Sequence, residues 1–233
     1  MTITNQSILR RVVDTLVDPT SVRWFMAELC RYFNDGKREV VKHRPDASSE
    51  LTAIPLVAGV RQAIPATAAK LLGIGFNTSG GLPITLVDLR MLDACEPGWR
   101  ALAGSAVIKH YGYDERNPTV FDVYPPAAQG ASVQADLSML PEDIDIPDDD
   151  TTFEAVTGTF DLPDIYANSL HDYVCFRAFS KESEVAVSGP RALSFLGYFA
   201  DGLGVELRSL LITSPRMAEA AARARAQAQV AKL

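Results

Sequence analysis

The spacing of apolar residues changes twice along this chain, and this change constrains the fold most strongly. In residues 4–17 and 22–42 apolar side chains recur every three or four positions, as in helices buried on one side. Between Leu51 and Val133 the chain breaks into short apolar runs separated by glycine and proline, which indicates strands joined by turns. Helical spacing returns after Phe160. We therefore predict an α+β fold, a four-helix bundle formed by the N- and C-terminal halves with an inserted β-rich domain and an extended C-terminal tail.

These changes divide the chain into three parts. The helical bundle is predicted to comprise residues 1–48 and 158–213, the inserted β-rich domain residues 49–157, and the tail residues 214–233. Within the insertion, residues 77–83 are predicted to form an exposed loop and residues 91–102 a short helical or irregular connection. The apolar helix faces predict one common core. We expect that core to contain Trp24, Phe25, Leu29, Phe33, Tyr173, Val174, Phe195 and Phe199.

Cysteine usage gives no sign of a disulfide framework. Cys30, Cys95 and Cys175 are odd in number, widely spaced and without a CxxC pair, so we predict free, buried thiols. The three histidines have no metal-ligand spacing. No apolar run approaches the roughly 20 residues of a membrane-spanning helix, and the first residues lack a signal-peptide core. We therefore expect synthesis in a cytoplasm and no membrane partner.

Charge is distributed unevenly along the chain. The net charge is −7, but residues 214–233 carry four basic residues and one acidic residue. An acidic body with a basic tail argues against sequence-specific binding of nucleic acid, which requires clustered Lys and Arg on the contact surface. It suits a tail that docks on an acidic partner surface. The seven carboxylates of residues 142–154 are predicted to form a solvated loop, because the order of ligands in a calcium loop is absent.

Motifs of known catalytic sites are absent from the sequence. GxSxG, HExxH and GxxxxGK[ST] do not occur, and Gly73 and Gly75 lack the third glycine of a dinucleotide site. We therefore predict no catalytic residues, no cofactor, no metal and no enzymatic activity. Trp24, Trp99 and the Tyr-Pro-Pro of residues 124–126 are interpreted as core or turn residues.

Five sequence segments resemble, in order, those of a known family. The first is RWFMAELCRYFNDGKREVVKHRPDA, which has a tryptophan, an N-D-G-x-R-E segment and an R-P-D turn. The others are AGVRQAIP (58–65), LDACEPGWRA (92–101), DERNPTVFDVYPPA (114–127) and DLPDIYANSLHDYVCFRAFSKES (161–183), followed by Arg191-Ala192 and Ser214-Pro215. Together they resemble the podovirus-type neck proteins of tailed phages, the head-to-tail adaptors, over most of the chain.

This resemblance implies a structural protein of the virion neck, made in the bacterial host cytoplasm. It implies a homo-oligomeric ring, usually a dodecamer, between the portal protein and a tail tube or nozzle protein. Double-stranded DNA would pass non-specifically through the lumen, and an acidic wall suits that passage. Two alternatives remain at this point, a tail-completion or tail-tube protein and a tail-associated cell-wall hydrolase.

The tail composition predicts the residues that contact the portal. Residues 214–233 contain good helix formers without a large apolar face, so a helix there needs a partner to be stable. Its arginines can pair with carboxylates on the portal, and its few apolar side chains can fill small pockets. The predicted contact residues are Arg216, Met217, Arg223, Arg225, Val230 and Leu233.

Overall fold

The computed structural model describes residues 3–148, 151–181 and 188–205, and within them the fold is α+β, as predicted. The α-helices are α1 (Asn5–Leu16), α2 (Met26–His43), α3 (Leu89–Cys95), α4 (Ala167–Lys181) and α5 (Ser188–Leu203). The strands are β1 (Ser49–Pro55), β2 (Gly59–Ala63), β3 (Ala68–Asn77), β4 (Thr85–Leu86), β5 (His110–Tyr113), β6 (Val120–Ala127) and β7 (Ser132–Met139).

The chain divides into two compact units. The helical unit comprises Met1–Arg44 and Pro141–Leu233, and the β unit comprises Pro45–Leu140. The corresponding boundaries predicted from the sequence lie after residues 48 and 157. The segment that follows Leu140 therefore belongs to the helical unit, where it contacts α2.

In the helical unit, α4 is the helix on which α1, α2 and α5 all pack. Gly36 of α2 allows a close approach, since a Cβ atom there would lie 2.5 Å from Leu170 Cδ1 and 2.8 Å from Tyr173 Cδ1 of α4. Trp24 Nε1 donates to the carbonyl oxygen of Ala178, 3.2 Å away. Six of the eight predicted core residues are buried, while Phe195 is half-buried and Phe25 is exposed.

The exposure of Phe25 corrects a sequence prediction and has a local cause. Asp18 accepts hydrogen bonds from the backbone N–H groups of Val22 (3.1 Å), Arg23 (2.8 Å) and Trp24 (3.0 Å). These groups are held by a side chain and not by a helix, so α2 begins at Met26, four residues later than the predicted Val22. Phe25 therefore precedes the helix and is 45% exposed.

The β unit consists of two sheets with one core between them. The three-stranded sheet has the order β1-β7-β3 and the four-stranded sheet the order β2-β6-β5-β4. Alternation along β7 directs Val133, Ala135 and Leu137 into the core, where they join residues of β5 and β6. The loop predicted for residues 77–83 begins one residue later, because Asn77 ends β3. The connection predicted for residues 91–102 contains most of α3, which starts at Leu89 and ends at Cys95.

The helices show no membrane-spanning character. Among the described residues, none of them is both long enough and apolar enough to cross a bilayer.

Candidate interaction surfaces

The predicted portal-contact residues lie outside the described part of the chain. This applies to Arg216, Met217, Arg223, Arg225, Val230 and Leu233, so their role stays a prediction.

The N-D-G-x-R-E segment of α2 holds the chain that returns from the β unit. Asn34 Nδ2 donates to the carbonyl oxygen of Ile144 (3.1 Å), and Asn34 Oδ1 accepts from the N–H of the same residue (2.9 Å). This amide therefore satisfies both backbone groups, as a neighbouring strand would. One turn on, Lys37 Nζ donates to the carbonyl oxygen of Glu142 and to both carboxylate oxygens of Asp161 (3.0 and 3.1 Å).

The ion pair of Lys37 with Asp161 is more buried than the neighbouring pair of Arg38 with Asp143. The Lys37 side chain is 3% exposed and that of Asp161 30%, so the ammonium group is withdrawn from water while its counter-charge stays partly accessible. Arg38 pairs with Asp143 at 2.5 Å, but both side chains are about half exposed. We call Asn34, Lys37 and Asp161 with the chain they hold, residues 142–144, the α2 clip. The motif that carried the family resemblance is thus structural in this chain.

A second ordered cluster surrounds Trp99 in the β unit. The Trp99 side chain is fully buried, and its ring meets that of Tyr124 edge-on at 5.9 Å. Its Nε1 donates to Asp93 Oδ1 at 2.8 Å, and Asp93 also pairs with Arg100. The Tyr124 hydroxyl donates to Glu96. These contacts fix α3 and the turn after it on strand β6.

The strand register shows which side of the sheet this cluster occupies. Phe121 and Val123 of β6 point into the core, so Tyr124 points to the opposite face. His110 lies opposite Tyr124 in the register, and their rings stack at 5.8 Å. The chain between β4 and β5, which we call the 87–109 segment, therefore covers the outer face of the four-stranded sheet.

Few residues of the 87–109 segment are buried, and several of its apolar residues are exposed. Met91 is 69% exposed, and Leu102, Val107 and the neighbouring Leu86 are exposed as well. Helix α3 has no buried residue. Cys95 is exposed on this helix, which corrects the prediction of three buried thiols, whereas Cys30 and Cys175 are buried.

The opposite sheet presents a second exposed face with apolar residues. Gln134 and Asp136 alternate with core residues of β7, so they point outward. Their register partners are Ala53 and Phe76 for Gln134, and Leu51 for Asp136. Leu51 is 59% exposed and Phe76 39%. We call these five residues the outer β7 face.

Neither the 87–109 segment nor the outer β7 face was predicted as an interaction surface from the sequence. A signal was present in β3, AAKLLGIGFN, where apolar residues occupy alternate and adjacent positions, so both faces of the strand are apolar. For the 87–109 segment, the signal of an apolar surface was the clustering of Leu, Met and Trp in a stretch that was predicted only to connect two strands.

The acidic segment is described except for Asp149 and Asp150, which lie outside the described residues. Glu142, Asp143, Asp145 and Asp148 are exposed, as is Glu154. Within the residues that the structure describes, no three or more His, Cys, Asp or Glu side chains are placed to hold a metal ion.

One constellation resembles a catalytic triad but lacks an activated nucleophile. His171 Nε2 lies 3.0 Å from Thr15 Oγ1 and 3.6 Å from Cys175 Sγ, and its Nδ1 lies 2.9 Å from Asp172. Burial raises the pKa of the Cys175 thiol well above its usual range, so the reactive thiolate is disfavoured. The Thr15 hydroxyl donates to the carbonyl oxygen of Arg11 at 2.9 Å. These contacts join α1 to α4 and give no reason to assign catalysis.

The sequence of this chain matches the model of a known protein family. The match is to a family of structural adaptor proteins of bacteriophages, and it extends over residues 2–229. The chain belongs to the SU10 adaptor protein family. No curated protein matches the chain significantly. The sequence-based resemblance to the phage head-to-tail adaptors is thereby confirmed. Membership implies a place in the virion neck and contact with other head or tail components.

Proposed function

We propose that this protein forms a closed ring, a dodecamer, between the portal and the tail tube or nozzle of a phage, with DNA passing through its lumen. The observation that carries the proposal is the family match over residues 2–229. The four helices α1, α2, α4 and α5 act in this proposal as one bundle that forms the body of the ring. The role is structural, without catalysis.

Charge supports the passage of DNA through the lumen. The chain before residue 214 is strongly acidic, with 28 acidic and 18 basic residues. Phosphate backbones bind proteins chiefly through Lys and Arg, so a wall with excess carboxylates retains DNA weakly. DNA can then move through the ring in either direction without sequence-dependent pauses.

The tail after Ser214 is the proposed docking arm for the portal. We expect it to gain helical structure when it binds, with Arg216, Arg223 and Arg225 pairing with portal carboxylates. Met217, Val230 and Leu233 fill small pockets in this proposal. Deletion of residues 215–233 should preserve folding and abolish or sharply weaken association with portal rings.

Purified portal rings and electron microscopy test this proposal directly. The wild type should form rings and bind portals with an affinity that falls as salt rises. Replacing the three tail arginines by glutamate should weaken binding. The matched control makes the same charge change at three exposed arginines of the helical unit, Arg10, Arg31 and Arg191. Unchanged portal binding by the truncated chain contradicts the docking arm, and binding to tail components alone favours the tail-completion alternative.

A further inference from the structure

The β unit has two exposed surfaces with apolar residues, on opposite sides of its two sheets. The 87–109 segment covers the outer side of the four-stranded sheet, because Trp99 packs on Tyr124, away from the core. The outer β7 face is the outer side of the three-stranded sheet, because Gln134 and Asp136 alternate with core residues. The two surfaces are therefore separated by two sheets and the core between them.

Two different surfaces on opposite sides are what a closed ring requires of each subunit. In a ring, one surface of each copy meets a different surface of the next copy, so every subunit needs both. A two-fold dimer would need only one self-complementary surface. Because this inference assumes a ring, it rests on the proposed function and adds which surfaces meet.

The charged residues of the two surfaces allow ion pairs across a contact between them. Asp136 lies in the middle of the outer β7 face, and no ion pair involves it within the described residues. In the 87–109 segment Asp93 is already paired with Arg100, and Glu96 accepts from Tyr124. Arg90 and Lys109 are exposed there, and neither has an ion pair among the residues of the described ranges. The outer β7 face thus offers the carboxylate of Asp136. The 87–109 segment offers two cations and also the exposed carboxylate of Asp88, which accepts from the N–H of Arg90 at 2.9 Å.

The packing that holds the 87–109 segment in place also suits docking. Its position is fixed by the buried Trp99 and by Leu89, which lies over Gly112 of β5 where a Cβ atom would collide with it. A segment held in this way loses little conformational freedom on binding. We propose that the outer β7 face of one subunit docks on the 87–109 segment of the next copy of this chain.

Cross-linking through the native Cys95 tests the proposal. Cys95 is exposed on α3, and Ala53 is exposed on the outer β7 face, so an Ala53→Cys variant places one thiol on each surface. The full-length variant is assembled into rings, treated with a short bis-maleimide and analysed on a denaturing gel. We expect a ladder of dimers, trimers and larger species, because each subunit links to both neighbours. The ladder should disappear in Ala53→Cys/Cys95→Ser.

Two controls make the result specific. Ser79→Cys places a thiol on the exposed loop after β3, outside both surfaces, and should give no ladder. Circular dichroism and electron microscopy establish that each variant folds and forms rings. Rings without a ladder in Ala53→Cys overturn the proposed contact and leave the ring standing. Dimers that persist after Cys95→Ser show a contact between two outer β7 faces and also overturn it. Monomers under all conditions contradict the ring and this contact with it.

Discussion

At the residue scale, Gly36 allows α2 to pack closely against α4. Its replacement by alanine places a Cβ atom 2.5 Å from Leu170 Cδ1 and 2.8 Å from Tyr173 Cδ1, too close without displacing α4. We expect Gly36→Ala to lower the free energy of unfolding by about 1–3 kcal/mol, as in overpacked cores. Urea denaturation followed by circular dichroism at the helix band measures this loss.

Gly197 of α5 provides the matched control for this prediction. It too lies inside a helix, but a Cβ atom there has no neighbour within 4 Å. Gly197→Ala should therefore stabilise the protein by up to about 1 kcal/mol through helix propensity alone. Equal effects of the two substitutions would show that the contact between α2 and α4 is wrong.

His43, at the end of α2, predicts a dependence of stability on pH. Burial lowers the pKa of His43, and the nearby Glu39 carboxylate, 3.4 Å from Nε2, only partly offsets this effect. The folded state therefore favours the neutral ring. Its contribution to stability should be complete above the unfolded pKa of about 6.5 and be lost as the pH falls through the lower folded pKa.

Thermal unfolding from pH 7.5 to 5 measures this contribution as a difference between two proteins. His43→Gln removes the titrating group, so the variant should lose less stability than the wild type over this range. Carboxylate titration is common to both proteins and cancels in the comparison. Parallel curves for the two proteins would assign the pH dependence to other groups.

At the element scale, the α2 clip should be more important for stability than the exposed ion pair beside it. Asp161→Asn leaves the Lys37 ammonium buried without a counter-charge, and we expect a loss of about 3 kcal/mol. Arg38→Ala removes a pair whose side chains are about half exposed, and we expect a loss below about 1 kcal/mol. Urea denaturation of both variants ranks them. A larger effect of Arg38→Ala would contradict the assignment.

The elements also show how much of this fold could be predicted from the sequence. Apolar spacing predicted helices in residues 4–17 and after Phe160, where α1, α4 and α5 lie. Helix α4 is buried on several sides, because three other helices pack on it. The predicted start of α2 was wrong, because three backbone N–H groups bind the Asp18 side chain. The spacing of apolar residues contains no information about such hydrogen bonds. The residue types near a helix start indicate which residue can cap the helix, but not how many backbone N–H groups that residue binds.

The candidate surfaces were harder to predict than the fold. The N-D-G-x-R-E segment was recognised as a motif, but its partners Ile144 and Asp161 are more than a hundred residues away and have no distinctive sequence pattern. The outer β7 face depends on strand register, which pairs Leu51 with Asp136. Register is fixed by packing across the whole sheet, so one strand sequence does not specify it.

At the scale of the whole molecule, the β unit should fold without the rest of the chain. Its core is built entirely from residues between Ile54 and Leu137, and both sheets are complete within Pro45–Leu140. We expect an isolated fragment of residues 45–140 to show dispersed amide resonances and fluorescence of a buried Trp99. The control fragment of residues 45–131 lacks β7, which pairs with both β1 and β3, and should remain unfolded. A disordered 45–140 fragment would show that the β unit depends on the helices.

The long sequence separation of the helical contacts has a consequence for synthesis on the ribosome. The partners of α1 and α2 follow much later in the chain, with Asn168 lying 157 residues after Arg11 and Ile144 lying 110 residues after Asn34. At roughly 5–20 residues per second, translation of a hundred residues takes about 5–20 seconds. During that time the β unit can complete its core, while the apolar faces of α1 and α2 wait for α4 to emerge. The inserted unit is thus expected to be the first part of the nascent chain to fold, and the first two helices the part that most needs chaperone protection.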